Sequence, residues 1–138
     1  MDSVISFTDE YAFLSNSYMH PITYDGLTYM NAEAAFWAQK IKDLNARKKY
    51  TRLSGQKARA KAAQCESVPD WENLKDSIMK DILRVKFSDQ KLRKALLNTK
   101  PKALINITNF RDTYWGRTTD SRGENKLGKF LEEIRDNY

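Results

Sequence analysis

The chain has 138 residues, enough for one compact domain and too few for a two-domain enzyme. Its 41% hydrophobic and 12% aromatic content, with five Gly and three Pro, excludes a disordered or low-complexity chain and predicts an aromatic-rich core. The net charge of +6 is polarised: Met1 to Gln39 holds five acids and no Lys or Arg, whereas Lys40 to Lys61 holds nine bases against Asp43 alone.

In chain order, Val4, Ile5 and Phe7 form a short β-prone run. Ile22-Thr23-Tyr24 and Leu27-Thr28-Tyr29 flank Asp25-Gly26, a two-residue hairpin signal. Asn31 is placed to cap a helix that carries Ala35, Ala38, Ile41 and, one turn on, Leu44 or Asn45 at helical spacing and runs to about Tyr50. A basic helix from Ser54 to Gln64 follows. Pro69-Asp70 opens a third helix whose apolar set is Trp71, Leu74, Ile78, Ile82 and Val85, and Asp89 caps a fourth through Leu92 and Leu96. Ala103-Leu104-Ile105 reads as a strand. Asn109 to Gly123 reads as a long polar loop with an exposed Tyr114-Trp115 pair beside Gly116, where aromatics offer stacking and glycine lets backbone approach a ligand. Leu127, Phe130, Leu131 and Ile134 define the last helix. The fold class expected is α+β: a compact single domain over residues 1–138, mostly helical, with short strands near the N-terminus and one before the C-terminal loop and helix.

Few residues announce chemistry. His20 is the only histidine and Cys65 the only cysteine, so a metal site would need carboxylates and an internal disulfide is excluded. His20, before Pro21, reads as a turn residue, and Cys65 as an inert helical packing residue. No signal peptide or membrane-spanning run is legible, so a cytoplasmic protein without membrane contact is expected. Phosphate-loop, nucleophile-elbow, zinc-protease and dinucleotide motifs are missing. Glu33 falls in the first turn of a helix among Ala32, Ala34, Ala35, Phe36 and Trp37, where it is either a dipole-complementing cap or a reagent. Lys40, two turns on, is open to pairing with a carboxylate, binding phosphate, acting as a nucleophilic amine or reaching solvent. Trp37 and Trp71 are open to core packing or a ligand platform. The basic block fits either a phosphate-bearing partner or a solvated helix face.

Longer strings narrow this. Phe13-Leu14-Ser15-Asn16, Pro21 through Tyr29 and Glu33-x-x-Phe36-x-Ala38-Gln39-Lys40 resemble the opening of the NADAR, or YbiA-like, family. Trp71-Glu72, Lys86-Phe87, Tyr114-Trp115-Gly116 and Gly123-x-Asn125-x-Leu127-Gly128-x-x-Leu131-x-x-Ile134-Arg135 resemble its later motifs, in order. The resemblance implies a helix-rich α+β N-glycosidase needing no cofactor or metal. Two substrate classes are implied: ADP-ribose on guanine in DNA, taken here as the primary expectation, and phosphoribosylamino-pyrimidine intermediates of riboflavin synthesis. Both join ribose C1 to an exocyclic amino nitrogen and carry phosphate on the sugar side. It further implies Glu33 as acid/base and Lys40 as phosphate ligand or imine-forming amine. Trp71, Tyr114 and Trp115 are implied to stack on the base or adenine, with Asn16, Gly116, Arg117 and Asn125 at the substrate. The partner expected is ADP-ribosylated nucleic acid or a phosphorylated ribosyl small molecule. Three positions depart from the family: Ala34 replaces a histidine, Trp37 replaces glutamine, and Arg117 follows Trp-Gly where relatives carry an acid. Ala34 and Arg117 motivate a rival reading, a non-catalytic nucleotide binder; a basic module stacking single-stranded bases is a third.

Overall fold

The computed structural model describes residues 3–108 and 112–138, apart from the side chain of Ile5. The elements are β1 (Ser3–Ile5), a 3-10 helix (Asp9–Leu14), β2 (Ile22–Tyr24), β3 (Leu27–Tyr29), α1 (Ala32–Lys40), α2 (Leu44–Arg47) and a second 3-10 helix (Lys48–Arg52). They continue with α3 (Gly55–Ala62), α4 (Trp71–Lys86), α5 (Gln90–Leu97), β4 (Ala103–Ile105) and α6 (Lys126–Asp136). This is the expected α+β fold, helix-rich with a few short strands. The chain divides into two compact units, Asn16–Ser88 and the remainder. The buried set includes Phe7, Tyr29, Phe36, Tyr50, Trp71 and Phe87, so the predicted aromatic core is present.

In the unit Asn16–Ser88, β2 and β3 form the hairpin read from Asp25-Gly26, pairing Ile22 with Tyr29 and Tyr24 with Leu27. Asp25 (φ 50°) and Gly26 (φ 86°) both take the left-handed conformation that a tight hairpin requires. Helix α1 is the centre of this unit, packing on α3, α4, the hairpin and the second 3-10 helix. Its small residues Ala32, Ala34, Ala35 and Ala38 are all buried. Helix α3 meets it with Gly55, Ala58 and Ala62, small residues on one face, which permit close approach.

Three sequence expectations are corrected here. The helix capped by Asn31 ends at Lys40 rather than near Tyr50: Ile41 turns extended (ψ 127°) to bridge Ser67, and the Asp43 side chain accepts from Asn45 N–H to start α2 afresh. The basic helix stops at Ala62, leaving Cys65 beyond its end, with its Sγ donating to the Lys61 carbonyl. On α4, Leu74 and Val85 are exposed, while Met79, Leu83 and Lys86 are buried with Trp71 and Ile82. The buried stripe includes a lysine, so an apolar-only spacing selected Val85 in its place.

In the other unit, β1 pairs in parallel with β4, Val4 opposite Leu104. Asp89 caps α5 by accepting from Leu92 N–H. Helix α6 packs on β4 through buried Leu127, Leu131 and Ile134. Arg135, also buried, donates to the Thr99 hydroxyl and the Lys102 carbonyl at 3.1 and 2.6 Å. Of the predicted loop, Asn109, Phe110 and Arg111 lie outside the described residues. The remainder is tied down rather than open: Arg117 bridges Ile107, and Thr108 N–H donates to the Arg117 carbonyl.

Candidate active site

Glu33 is the second residue of α1, where backbone N–H groups have no partner within the helix. Asn31 Oδ1 accepts from Ala34 N–H at 2.9 Å, and the Asn16 carbonyl accepts from Glu33 N–H at 3.0 Å. With both tasks met by other groups, the Glu33 side chain is not needed as a cap. Its carboxylate instead accepts from Ser17 Oγ at 2.9 Å on one oxygen and from Trp37 Nε1 at 3.3 Å on the other. Gly55, first residue of α3, lies so close that a Cβ there would stand 2.9 Å from Glu33 Cβ and 3.1 Å from Oε2. The carboxylate thus sits by two helix N-termini, whose partial positive charge favours an anion. Trp37 is one helical turn from Glu33 and supplies a side-chain N–H donor at that position.

The segment Asn16–Tyr18 crosses from Glu33 toward α4. Asn31 Nδ2 donates to the Ser17 carbonyl at 3.3 Å, fixing the segment to the start of α1. Asn16 Nδ2 reaches Met79 Sδ at 3.5 Å, while its Oδ1 is buried without a hydrogen-bond partner among the described residues. A buried carbonyl oxygen left unpaired costs about 1–3 kcal/mol, so a ligand N–H that reaches it regains that energy. Two helical turns beyond Met79, Lys86 is 1% exposed, its ammonium 5.7 Å from the Tyr18 ring centroid and 5.2 Å from that of Phe87. Burial among these groups pushes the Lys86 ammonium down to about 7, so a substantial neutral fraction exists near neutral pH. In the sequence Lys86 stands out only as part of the Lys86-Phe87 pair. The signal available was its place three and four residues after Leu83 and Ile82, on the core stripe of α4.

Lys40 is not beside Glu33. Its ammonium donates to the Ala62 carbonyl at 3.2 Å, at the C-terminal end of α3, while Glu33 faces that helix's first residue. Helices α1 and α3 therefore run side by side in the same direction, with the two side chains about 10 Å apart along the axis. Trp71 is buried on Phe36, centroids 5.1 Å apart, as a core residue.

The remaining expected site residues belong to the other unit. Tyr114 and Trp115 are half-buried rather than exposed: the rings meet edge to face at 4.8 Å, Trp115 also packs on Phe130, and the Tyr114 hydroxyl lies 3.0 Å from the Lys126 ammonium, which donates to it. Gly116 is buried where a Cβ would collide with Thr108 and the Asn106 carbonyl, so its close backbone approach is to its own unit. Arg117 N–H donates to the Asn106 carbonyl at 2.8 Å. Asn125, left-handed at φ 51°, accepts from Asn106 N–H on Oδ1 and donates through Nδ2 to the Leu104 carbonyl, both at 2.9 Å. Its amide clips β4 to the start of α6.

The model of the NADAR domain family matches residues 3–138. The chain belongs to the NADAR family. It is similar to a protein named N-glycosidase YbiA of Escherichia coli strain K12, 36% identical over 142 residues that cover 98% of this chain and 88% of that one. A riboflavin biosynthesis protein of Vibrio vulnificus strain YJ016 is 30% identical over 132 residues, covering 93% of this chain and 36% of its own length. The NMR structure of Escherichia coli YbiA is similar with a TM-score of 0.85 at 33% identity, covering 99% of this chain and 86% of that one. The NADAR membership read from the ordered motifs is thus established, and the site residues above can be compared on a common NADAR fold.

Proposed function

We propose that this NADAR protein is an N-glycosidase that hydrolyses the bond between ribose C1 and an exocyclic amino nitrogen, with ADP-ribosylated guanine in nucleic acid as its substrate. The observation that carries the reading is the Glu33 carboxylate, held on both oxygens by Ser17 and Trp37 and released from capping duty. Similarity to N-glycosidase YbiA supports the same reaction class. Glu33 acts as the proton shuttle that opens the ribose ring and protonates the leaving amine. The amine role passes from Lys40 to Lys86, because Lys40 is engaged with the Ala62 carbonyl while Lys86 is buried and close to neutral at physiological pH. Lys86 adds to C1 of the opened sugar and the base departs as its free amine. Water then cleaves the C1 imine, restoring lysine and releasing the sugar. The buried Asn16 Oδ1 accepts from an amino or ring N–H of the base.

A second reading, cleavage of phosphoribosylamino-pyrimidines, is favoured by the similarity to the Vibrio riboflavin biosynthesis protein. A side-by-side assay with a guanine-ADP-ribosylated oligonucleotide and a phosphoribosylamino-pyrimidine decides between them. Release of ADP-ribose with intact guanine is expected. Cleavage of the pyrimidine alone selects the second reading, and tight binding without any product makes the chain a nucleotide binder.

A further inference from the structure

Six cations on two consecutive elements stand without a salt-bridge partner among the described residues. Lys48, Lys49 and Arg52 on the second 3-10 helix and Lys57, Arg59 and Lys61 on α3 are all exposed, and among the described residues none forms a salt bridge. No acid occurs from Leu44 to Gln64 to neutralise them. The solvent face of α4 is built differently: Lys75 pairs with Glu72 and Arg84 with Asp81, each three residues apart. Interleaved acids are what a merely solvated face uses to relieve self-repulsion, and α3 lacks them. On α3, Lys57 and Lys61 stand one turn apart, about 6 Å along the axis, opposite the Gly55, Ala58 and Ala62 face that meets α1. The other exposed positions of α3 are Gln56 and Ala60, so the face lacks the large apolar anchors of a helix that lies in a membrane interface. Helix α3 also begins at Glu33, through Gly55.

We propose that the second 3-10 helix and α3 form a docking surface for the sugar-phosphate backbone of a nucleic-acid strand, guiding a ribosylated base on that strand to Glu33. This inference rests on the proposed glycosidase reading and names the partner surface of that same site. The experiment compares wild type with the triple variant Lys57→Glu, Arg59→Glu, Lys61→Glu, and with a milder Gln series at the same positions. ADP-ribosylated guanine is supplied in an oligonucleotide and as a mononucleotide, at about 50 and about 200 mM salt. Expected is a KM for the oligonucleotide that rises about tenfold or more in the triple variant, less in the Gln series, while mononucleotide cleavage is unchanged. Fluorescence anisotropy with an unmodified oligonucleotide should show a salt slope shallower by about 0.7–0.9 per phosphate contact removed. Equal KM and equal salt slopes in wild type and variants would overturn the surface. If wild type cleaves neither substrate, the ADP-ribosylated-guanine reading fails, while the anisotropy series still decides the surface by itself. Binding to phosphatidylserine vesicles that matches or exceeds oligonucleotide binding also overturns it.

Discussion

Glu33 is held from two sides by neutral donors, and each predicts a separable effect. Glu33→Gln would remove the proposed proton shuttle but preserve size and polarity, so cleavage should be lost while ligand binding persists; product release and binding are measured on the same preparation. Trp37→Phe keeps the edge-to-face contact with Phe36, 5.0 Å between centroids, and deletes only the N–H. One hydrogen bond to a charged group is worth about 1.5–3 kcal/mol, so kcat is expected to fall roughly ten- to hundredfold with little change in KM. Gly55→Ala is a good change for a helix in general, yet its methyl would stand 2.9 Å from Glu33 Cβ and displace Glu33, so activity should fall. For the amine, Lys86→Arg forms no imine and should abolish turnover, whereas Lys40→Arg should retain it. With Lys86 deprotonating near 7, kcat should rise as pH passes through that value. Glu33 was legible in the sequence as a candidate because an acid among alanines and aromatics in a first helical turn is conspicuous. Lys86 was not, because burial of a lysine is a property of the packed unit and its spacing looks like that of any surface base.

At the scale of elements, local signals were read well where the residues that decide them are neighbours. Asp25-Gly26 specifies its own turn, and Asn31 and Asp89 each accept from an N–H three residues on. The end of α1 failed this test because Ile41 leaves the helix to bridge Ser67, a partner 26 positions away, and Arg47 donates back to the Ile41 carbonyl at 2.8 Å. The parallel pairing of β1 with β4 joins residues about a hundred positions apart and leaves no local trace. Asn125 shows how a motif residue can serve architecture. It was expected at the substrate, and its side-chain amide is spent on Asn106 and Leu104. Asn125→Ala should cost about 2–4 kcal/mol by urea denaturation, because two backbone groups lose their partners and the left-handed residue gains strain. Asn125→Gly should recover only the strain. Gly128→Ala belongs to the same joint: its Cβ would overlap the Leu104 carbonyl and the Asn125 amide, so α6 could not keep its seat on β4.

At the scale of the whole molecule, charge links stability to activity. The folded chain holds Lys86 near 7, below its ordinary value of 10.5, so between these values the unfolded chain binds a proton that the folded chain does not. The cost of burying Lys86 is therefore full below about pH 7 and fades as pH rises toward 10.5. Lys86→Met should stabilise the protein most at neutral and lower pH, with the gain shrinking on the alkaline side, as read by denaturant titrations across that range. No described helix is long and apolar enough to cross a membrane, and the cationic surface of α3 instead meets solvent. A lysine costly to bury and a carboxylate held without capping duty are the features by which the unit Asn16–Ser88 departs from what folding alone requires. This carboxylate is proposed to drive cleavage of a ribose C1–N bond. Mass spectrometry of the products formed by wild type and Glu33→Gln from a guanine-ADP-ribosylated oligonucleotide tests it most directly. Free ADP-ribose and unmodified oligonucleotide with wild type, and neither with Glu33→Gln, is the predicted result; equal product from both proteins would contradict it.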